Sequence, residues 1–205
     1  MKIAVIGTGN VGGALAKRLA EQGHKILMGV RDVRSFKGQA LLHQPGDISA
    51  QPVMDAVRSS EIIILSVPAA AVIEAARSLG DVHDKIIIDT MNSVFFKLEG
   101  FTNTADAILA NCNTTDVVKC FNTTGFENIL DPVYKGKGID MFTAGSSEKG
   151  IALATELARE IGFGNVYHFG GNDNFQLIEQ FGMCWINMAI IQKQGRNISF
   201  TIVRR

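Results

Sequence analysis

Residues 1–31, MKIAVIGTGNVGGALAKRLAEQGHKILMGVR, decide the fold. The apolar run Lys2–Ile6 comes directly before three glycines in the spacing G-x-G-x-x-G, and an apolar helical face follows them. A second apolar run, Ile26–Met28, comes after a glycine stop. This order predicts strand, tight turn, helix and strand, which is the arrangement of a dinucleotide-binding unit.

Each glycine has a separate mechanical role in such a unit. Gly7 is expected to make the tight turn, Gly9 to let the backbone approach a pyrophosphate, and Gly12 to let the helix pack closely on the strand. Phosphates then lie at the positive end of the helix. The alternative is a βαβ turn that binds nothing, because a glycine-rich turn can match the motif by chance. The position between a strand and a helix favours the dinucleotide.

The residues after the second strand bear on the choice between NADP and NAD. Arg31 lies roughly 20 residues after the glycine motif, where an acidic residue favours the ribose hydroxyl of NAD and an arginine favours the 2′-phosphate of NADP. Arg34 and Lys37 are close enough in sequence to add positive charge. NADP is therefore predicted in preference to NAD. Two alternatives stay open: Asp32 could hold a ribose hydroxyl, or Arg31 and Asp32 could form a solvated surface pair.

The composition of the 205 residues excludes several classes of protein. With 46% apolar and 20% charged residues, the chain is an ordinary globular protein. Its 20 basic and 20 acidic residues balance, so no overall field favours nucleic acid or an anionic membrane. The most apolar stretch, Ile62–Ala76, is shorter than the about 20 residues that span a bilayer, and we expect no leader peptide before the first strand. We expect a soluble, cytoplasmic protein.

The cysteines and histidines indicate neither a disulfide framework nor a metal site. The three cysteines are odd in number and far apart, with no C-x-x-C pair, and the four histidines are isolated from one another. Reduced thiols and no bound metal are expected. These residues are Cys112, Cys120, Cys184, His24, His43, His83 and His168.

Beyond the first unit, apolar runs alternate with helical patterns. The predicted strands are Asp47–Ala50, Glu61–Val67, Lys85–Asp89, Val117–Cys120, Ile139–Ala144 and Val166–Phe169. The predicted helices are Val53–Ser59, Ala69–Leu79, Thr104–Ala110, Ser146–Ile161 and Asn174–Gln194, with a loop over Phe95–Gly100. The pattern predicts an α/β fold: a Rossmann-like, doubly wound, mainly parallel sheet with a small helical C-terminal appendage. We divide it into an NAD(P)-binding domain over 1–170 and a C-terminal helical segment over 171–205.

Three of the predicted strands end in segments that parallel topology brings to one edge, where such sheets bind ligands. Ser66, Val67 and Pro68 are expected to border the nicotinamide, and Asn92 follows the next strand. The third segment offers amide, hydroxyl and aromatic groups to the nicotinamide or a second ring, and an ordinary polar turn is the alternative. Its candidate substrate-binding residues are Phe121, Asn122, Thr123 and Thr124, with Phe126 as a further stacking ring.

The chain resembles the family of NADPH-dependent reductases of the deazaflavin coenzyme F420. The motifs that carry the resemblance are GTGNVGGALAKRLAEQGH, GVR, SVPAAAVIEAA, IIIDTMN, VVKCFNTTG, AGSSEKGIALATELAREIGF and FTIVRR, which run along nearly the whole chain. The resemblance implies a Rossmann domain, a small C-terminal part that shapes a second-cofactor pocket, and a homodimer. It further implies that Thr8, Gly9, Asn10 and Val11 cradle the pyrophosphate and that Arg31 meets the 2′-phosphate.

The expected activity is hydride transfer between NADPH and a deazaflavin, a flavin or another small electron acceptor. The chain lacks Ser-x-x-x-Lys, Tyr-x-x-x-Lys and H-E-x-x-H patterns, and transfer between two bound rings needs positioning more than an acid or base. No catalytic residue is assigned. Two alternatives stay open: a non-catalytic dinucleotide sensor, and an imine or carbonyl reductase, which needs a proton donor near the nicotinamide.

Overall fold

The computed structural model describes residues 1–93 and 96–205. Its strands are β1 (Lys2–Ile6), β2 (Lys25–Val30), β3 (Asp47–Pro52), β4 (Ile62–Leu65), β5 (Ile86–Asp89), β6 (Val117–Cys120), β7 (Val133–Tyr134), β8 (Lys137–Gly138), β9 (Met141–Ala144) and β10 (Val166–His168). Its α-helices are α1 (Asn10–Glu21), α2 (Val53–Arg58), α3 (Val72–Ser78), α4 (Thr104–Asn111), α5 (Phe126–Leu130), α6 (Glu148–Ile161) and α7 (Phe175–Ile186).

One sheet organises the described residues, in the strand order β10-β9-β6-β5-β4-β1-β2-β3, and β7 pairs with β8 in a separate hairpin. Strands β1 to β6 are mutually parallel. The strand order reverses between β1 and β4, and ligands bind beyond the carboxyl ends at such a point. The predicted Rossmann-like, mainly parallel sheet is confirmed.

The last two strands run in the opposite direction. Strand β9 pairs antiparallel with β6, and β10 pairs parallel with β9. The reason is the connection: α5 and the β7–β8 hairpin occupy the stretch between β6 and β9, without a long helical crossover back to the other edge. The sequence does not predict either short element. Because β10 runs backwards, it ends at the amino edge of the sheet, and α7 returns from there toward the carboxyl edge.

Some boundaries differ from the predicted ones. The third strand extends to Pro52, and a 3₁₀ turn over Ala69–Ala71 comes before α3. The final helix is α-helical to Ile186 and continues as a π-helical turn over Asn187–Ile191. The predicted loop Phe95–Gly100 begins at a residue outside the described part of the chain.

Apolar side chains cover both faces of the sheet. Strand β4, Ile62–Leu65, is buried at every position, which explains its unbroken apolar sequence. Its alternate residues contribute to two clusters: Ile62 and Ile64 pack beneath α1 and α6, and Ile63 and Leu65 pack on the other face. Among the helices of the described residues, none is long and apolar enough to cross a membrane.

Candidate functional site

The glycine turn between β1 and α1 has the geometry that each glycine was predicted to serve. Gly7 has a φ of +100°, and a Cβ there would lie 2.2 Å from the carbonyl oxygen of Ser66. A Cβ on Gly12 would lie 1.9 Å from the Gly7 carbonyl oxygen, whereas a Cβ on Gly9 would meet nothing within 4 Å. Gly7 and Gly12 are therefore required by the fold, and Gly9 leaves open space above the turn.

The N-terminus of α1 offers backbone donors to that open space. Gly9 is the N-cap residue and supplies no side chain to accept from the first turn, which holds no acidic residue. The first helical hydrogen bond runs from the Gly13 N–H to the Gly9 carbonyl, at 2.8 Å. The N–H groups of Asn10, Val11 and Gly12 precede it and have no partner within the helix. With the helix dipole, they fit the phosphates of a dinucleotide.

The loop after β2 brings positive charge next to this turn. A Cβ on Gly38 would lie 3.1 Å from the Thr8 carbonyl oxygen, so the loop packs against the glycine turn. Arg31, the first residue after β2, is exposed and forms no ion pair with the residues that the structure describes. Asp32 instead accepts from the backbone N–H of Arg34 at 2.9 Å and lies 3.5 Å from its Nε. Asp32 thus pairs with Arg34 and leaves the guanidinium of Arg31 available.

The carboxyl ends of β1, β4, β5 and β6 lie side by side, as predicted. Ser66 contacts the glycine turn, and its N–H donates to the Ile6 carbonyl at 2.8 Å. Val67 is half-buried and packs against the apolar cluster on one face of the sheet, and Pro68, which follows it, is exposed. The residues predicted to border the nicotinamide therefore adjoin the residues predicted to hold the phosphates.

An amide pair joins the ends of β5 and β6. Asn92 donates from Nδ2 to the Asn122 carbonyl at 2.7 Å, and Asn122 donates from its own Nδ2 to Asn92 Oδ1 at 2.9 Å. Helix α7 packs directly on this pair: a Cβ on Gly182 would lie 2.7 Å from the Asn122 carbonyl oxygen. The C-terminal segment therefore forms one wall of the edge where the three strand ends meet.

The prediction that Phe121 stacks on a second ring is wrong. Its ring is 0% exposed and packs in the core against Phe163, with ring centroids 6.1 Å apart. The cause is the backbone: Phe121 has a φ of +64°, a left-handed conformation rare for an aromatic residue, and this turns the chain at the end of β6. The strain of such a residue, about 1–3 kcal/mol, persists only where packing enforces it.

The other predicted acceptor-binding residues are also more buried than an open binding turn requires. Asn122 and Thr123 are buried, and Thr124 is half-buried, with its hydroxyl accepting from Asn128 at 2.7 Å. Phe126 lies beneath the guanidinium of Arg196, which is 5.4 Å from the ring centroid. Of the predicted set, Thr124 and Phe126 therefore keep surface that a ligand can reach.

Three charged residues that the motifs and their spacing do not single out are buried beneath the candidate site. We call Asp89, Lys119 and Glu179 the Lys119 cluster. Asp89 and Lys119 are in-register neighbours on β5 and β6, and Lys119 is 0% exposed. The Lys119 ammonium donates to Asp89 Oδ2 at 2.7 Å and to Glu179 Oε1, on α7, at 2.8 Å. The Met91 carbonyl oxygen and the Thr104 hydroxyl oxygen also lie 2.9 Å from the ammonium, so its three N–H groups are shared among four acceptors.

The cluster shifts its two carboxyl groups in opposite directions. Burial raises the pKa of Asp89, and the charge of Lys119 opposes that rise without cancelling it. Burial also acts to raise the pKa of Glu179, but the Lys119 charge and hydrogen bonds from Lys119, Ser93 and Thr104 outweigh it and hold that pKa below its usual value. Glu179 is therefore the carboxylate that the fold holds ionised.

A sequence signal for the cluster exists. Asp89 ends the run IIID and Lys119 interrupts the run VVKC, and both runs have the continuous apolar character of strands covered on two faces. A charge inside such a strand must be paired, so each residue indicates a buried partner. The third member, Glu179, lies 60 residues beyond Lys119, and no local pattern connects them.

The chain resembles known proteins along its whole length. It matches the family model described as NADP oxidoreductase, coenzyme F420-dependent, over residues 2–93. It is 30% identical over 221 aligned residues to the F420-dependent NADP reductase of Methanothermobacter thermautotrophicus, with 98% of this chain and 94% of that protein covered. The protein of the same description from Methanothermobacter marburgensis is 27% identical over 209 residues, covering 93% of each chain.

Solved structures show the same fold. A crystal structure from Arthrobacter sp. FB24, described there as a candidate F420-dependent NADP reductase, covers 100% of both chains with a TM-score of 0.86 at 24% identity. A reductive aminase from Aspergillus terreus, solved with NADPH and ethyl levulinate, has a TM-score of 0.65 at 17% identity. The latter match covers 94% of this chain and 64% of the aminase, so the aminase extends beyond the shared fold.

Proposed function

The chain belongs to the family of F420-dependent NADP oxidoreductases, and on that premise we propose that it transfers hydride between NADPH and the ring of a deazaflavin such as coenzyme F420, or of a flavin. The observation that carries the proposal is the glycine turn, where Gly9 leaves open space beside the backbone donors of α1. Similarity over 98% of the chain to a reductase named for both NADP and F420 supports the acceptor.

NADP is proposed in preference to NAD because of the loop after β2. Arg31 stands at the end of that strand and is not held by Asp32, whose carboxylate accepts from Arg34. A guanidinium matches the geometry and charge of a 2′-phosphate. Arg34 is 89% exposed at its side chain, so its weak pairing with Asp32 leaves it free to turn toward the same phosphate.

The nicotinamide would then lie along the ends of β4 and β5. Bound there, a reduced nicotinamide supplies the hydride. We propose that Ser66, Val67 and Pro68 border one side of it and that Asn92 borders the other. Asn122 acts through Asn92, since the Asn92 side-chain amide donates to the Asn122 carbonyl and the Asn122 side-chain amide donates to Asn92 Oδ1. Thr124 is left as the polar contact to the acceptor.

The titratable groups of this edge favour a ring acceptor over an imine or a carbonyl compound. Reduction of an imine or carbonyl group needs a proton donor beside the nicotinamide, whereas hydride transfer between two stacked rings depends on their alignment. Among the described residues beneath the strand ends, Asp89, Lys119 and Glu179 are all engaged with one another. They hold structure in place and present no free donor to the edge.

The experiment is a comparison of acceptors. The purified protein is supplied with NADPH and, in separate assays, with coenzyme F420, FMN, a quinone or a cyclic imine, and oxidation of NADPH is followed. Steady oxidation with coenzyme F420 or FMN is expected. Turnover with the imine alone would assign an imine reductase, and tight binding of NADPH without turnover on any acceptor would assign a dinucleotide sensor.

We further propose that the protein is a homodimer that uses the outer face of its last helix. Leu177, Cys184 and Ile191 recur seven residues apart along α7 and its π-helical continuation, and all three are exposed. Exposed apolar side chains on one helix favour a contact surface. Light scattering on the wild-type protein and on Leu177→Glu tests this: the variant is expected to be monomeric, and a wild-type monomer contradicts the proposal.

The cysteines support a cytoplasmic location. Cys112, Cys120 and Cys184 are free thiols in the structure. Burial raises the pKa of Cys112 to about 11 and raises that of Cys120 further, so neither thiol is reactive at neutral pH. We propose that the protein works in a reducing compartment, where such thiols persist.

A further inference from the structure

The Lys119 cluster connects the segment after β5, on the proposed nicotinamide side of the site, with helix α7, which packs on the proposed acceptor side. We propose that Lys119 and Glu179 are positioning residues, which fix segment 91–93 against helix α7 and thereby set the spacing between the nicotinamide side and the acceptor side. This inference rests on the proposed hydride transfer. It assigns a role in the reaction to residues that touch neither ring.

Glu179 holds both ends of the loop that follows β5. Its Oε2 accepts from the Ser93 N–H at 2.8 Å and from the Ser93 hydroxyl at 2.6 Å. Its Oε1 accepts from the Thr104 N–H at 3.0 Å, at the first residue of α4. A single carboxylate on α7 therefore fixes where the loop leaves the sheet and where it rejoins the fold.

Lys119, which is buried, also holds segment 91–93 in place. Its ammonium donates to the Met91 carbonyl, one residue before Asn92, while also bonding Glu179. Asn92 in turn bonds the Asn122 carbonyl at the end of β6. The positions of the two strand ends and of α7 are thus coupled through one side chain.

Helix α7 lies against the amide pair one turn beyond Glu179. Gly182 packs so closely there that a Cβ would lie 3.0 Å from Asn92 Nδ2. A shift of the helix therefore displaces Asn92 or opens a gap beside it. Because hydride transfer requires the reacting atoms at about 3–3.5 Å, and a displacement of about 1 Å can cost a factor of about 100 in rate, such a shift would be felt in the chemical step.

Stability alone does not account for a charged cluster at this place. Two carboxylates and one ammonium lose their hydration when they are buried, and apolar residues of similar volume hold protein cores at least as well. Apolar side chains, however, make no directional contacts. The Lys119 ammonium makes four contacts of 2.7–2.9 Å to partners on β5, α4, α7 and the segment after β5. These contacts fix the positions of the four segments relative to one another.

The test separates alignment from binding and from folding. Glu179→Gln keeps the shape of the side chain and removes its charge, and Lys119→Met removes the ammonium. Lys149→Met is the matched control, since Lys149 pairs with Asp116 at 2.7 Å at the amino edge, far from the strand ends. For each protein one measures the NADPH dissociation constant, the single-turnover rate of hydride transfer, and the melting temperature.

We expect Glu179→Gln and Lys119→Met to bind NADPH within about threefold of wild type and to transfer hydride at least about tenfold more slowly, with a full deuterium isotope effect. The control variant should match wild type in all three measurements. Equal losses of affinity and rate, or an unchanged rate in Glu179→Gln, would overturn the inference.

A neutral variant, Asp89→Asn with Lys119→Met and Glu179→Gln, answers the objection that the cluster only stabilises the fold. It buries no unpaired charge, so its melting temperature should recover relative to Lys119→Met. Its hydride-transfer rate should stay low, because the directional bonds to Met91 and Thr104 are absent. A rate that recovers together with the melting temperature contradicts a positioning role.

Amide exchange gives a readout that does not depend on turnover. In Glu179→Gln the backbone amides of Ser93 and Thr104 should exchange faster than in wild type, and those of α6 should not change. Unchanged exchange at both amides overturns the inference. If wild type binds NADPH and passes hydride to no acceptor, the proposed function fails and the positioning role fails with it. An active wild type with an equally active Glu179→Gln variant rejects the positioning role alone.

Discussion

Asp32 accepts a hydrogen bond from the backbone N–H of Arg34 at 2.9 Å, and its carboxylate lies 3.5 Å from the Nε of the same residue. The sequence left open whether Asp32 pairs with Arg31, and the structure answers that it does not. Because the Asp32 carboxylate is directed at Arg34, it does not pair with the guanidinium of Arg31, the residue directly after β2. The proposed preference for NADP therefore depends on Arg31.

Arg31→Ala should weaken NADPH binding and leave NADH binding nearly unchanged. Charge-assisted hydrogen bonds contribute about 1.5–3 kcal/mol, which corresponds to a loss of roughly 10- to 150-fold in NADPH affinity. Titration with both nucleotides measures it. Arg58→Ala is the control, because Arg58 is another exposed arginine near an aspartate, 3.5 Å from Asp55 on α2. Equal changes in the affinities of the two nucleotides would contradict the role of Arg31.

The glycine turn predicts that two similar substitutions have different effects. Gly9→Ala places its Cβ in open space with an ordinary φ of −74°, so the melting temperature should stay close to wild type while NADPH binding is lost. Gly12→Ala places its Cβ 1.9 Å from the Gly7 carbonyl oxygen, so stability and binding should both fall. Thermal unfolding with and without NADPH measures both. Undiminished NADPH binding by Gly9→Ala would show that the pyrophosphate lies elsewhere.

Phe121→Ala tests whether this ring belongs to the core. Removing a buried phenylalanine costs about 3–5 kcal/mol, and alanine keeps the strain of the left-handed backbone. We therefore expect a loss of that size in the free energy of unfolding, measured with denaturant, and no comparable rise in the KM for the acceptor at a temperature where the variant is folded. A stable variant with weakened acceptor binding would restore the stacking role.

The stability of the protein should depend on pH through Glu179. The pKa of this carboxyl is held below its usual value of 4.5 in the folded state, so protonation favours unfolding. The stability that it contributes is present above that value and is lost as the pH falls below it. Asp89 opposes part of this dependence, because the charge of Glu179 contributes to raising the pKa of Asp89 in wild type. Denaturant unfolding between pH 7 and about pH 3 should therefore show a wild-type advantage that is constant above the usual pKa of Glu179 and shrinks below it. A constant difference would contradict the ionised Glu179.

The sequence predicted the parts of the fold that local pattern determines. The turn of Gly7, Gly9 and Gly12, the parallel strands and the shared edge of three strand ends all follow from residue type and spacing within short windows. The sequence mispredicts Phe121, because an aromatic residue directly after a strand is expected to be accessible at the edge of the sheet. Its φ of +64°, which depends on packing from distant residues, sends the ring into the core.

The Lys119 cluster shows what local sequence patterns do not predict. A lysine and an aspartate in apolar strands indicate that a buried partner exists, but the partner's identity depends on how α7 returns across the sheet. That path follows from the reversal of β9 and β10, which results from a short connection through α5 and a hairpin. Neither element has a strong local signal, so the pairing of Lys119 with Glu179 is a tertiary result.

The central claim is hydride transfer from NADPH to a ring acceptor bound beside the strand ends. The most direct measurement is a single turnover with NADPH carrying deuterium at the transferred position of nicotinamide C4, with coenzyme F420 and FMN as separate acceptors and mass analysis of the reduced product. We expect deuterium to appear in the reduced acceptor, and Arg31→Ala to slow its transfer at limiting NADPH. A wild-type protein that binds NADPH and transfers no deuterium to either acceptor would contradict it.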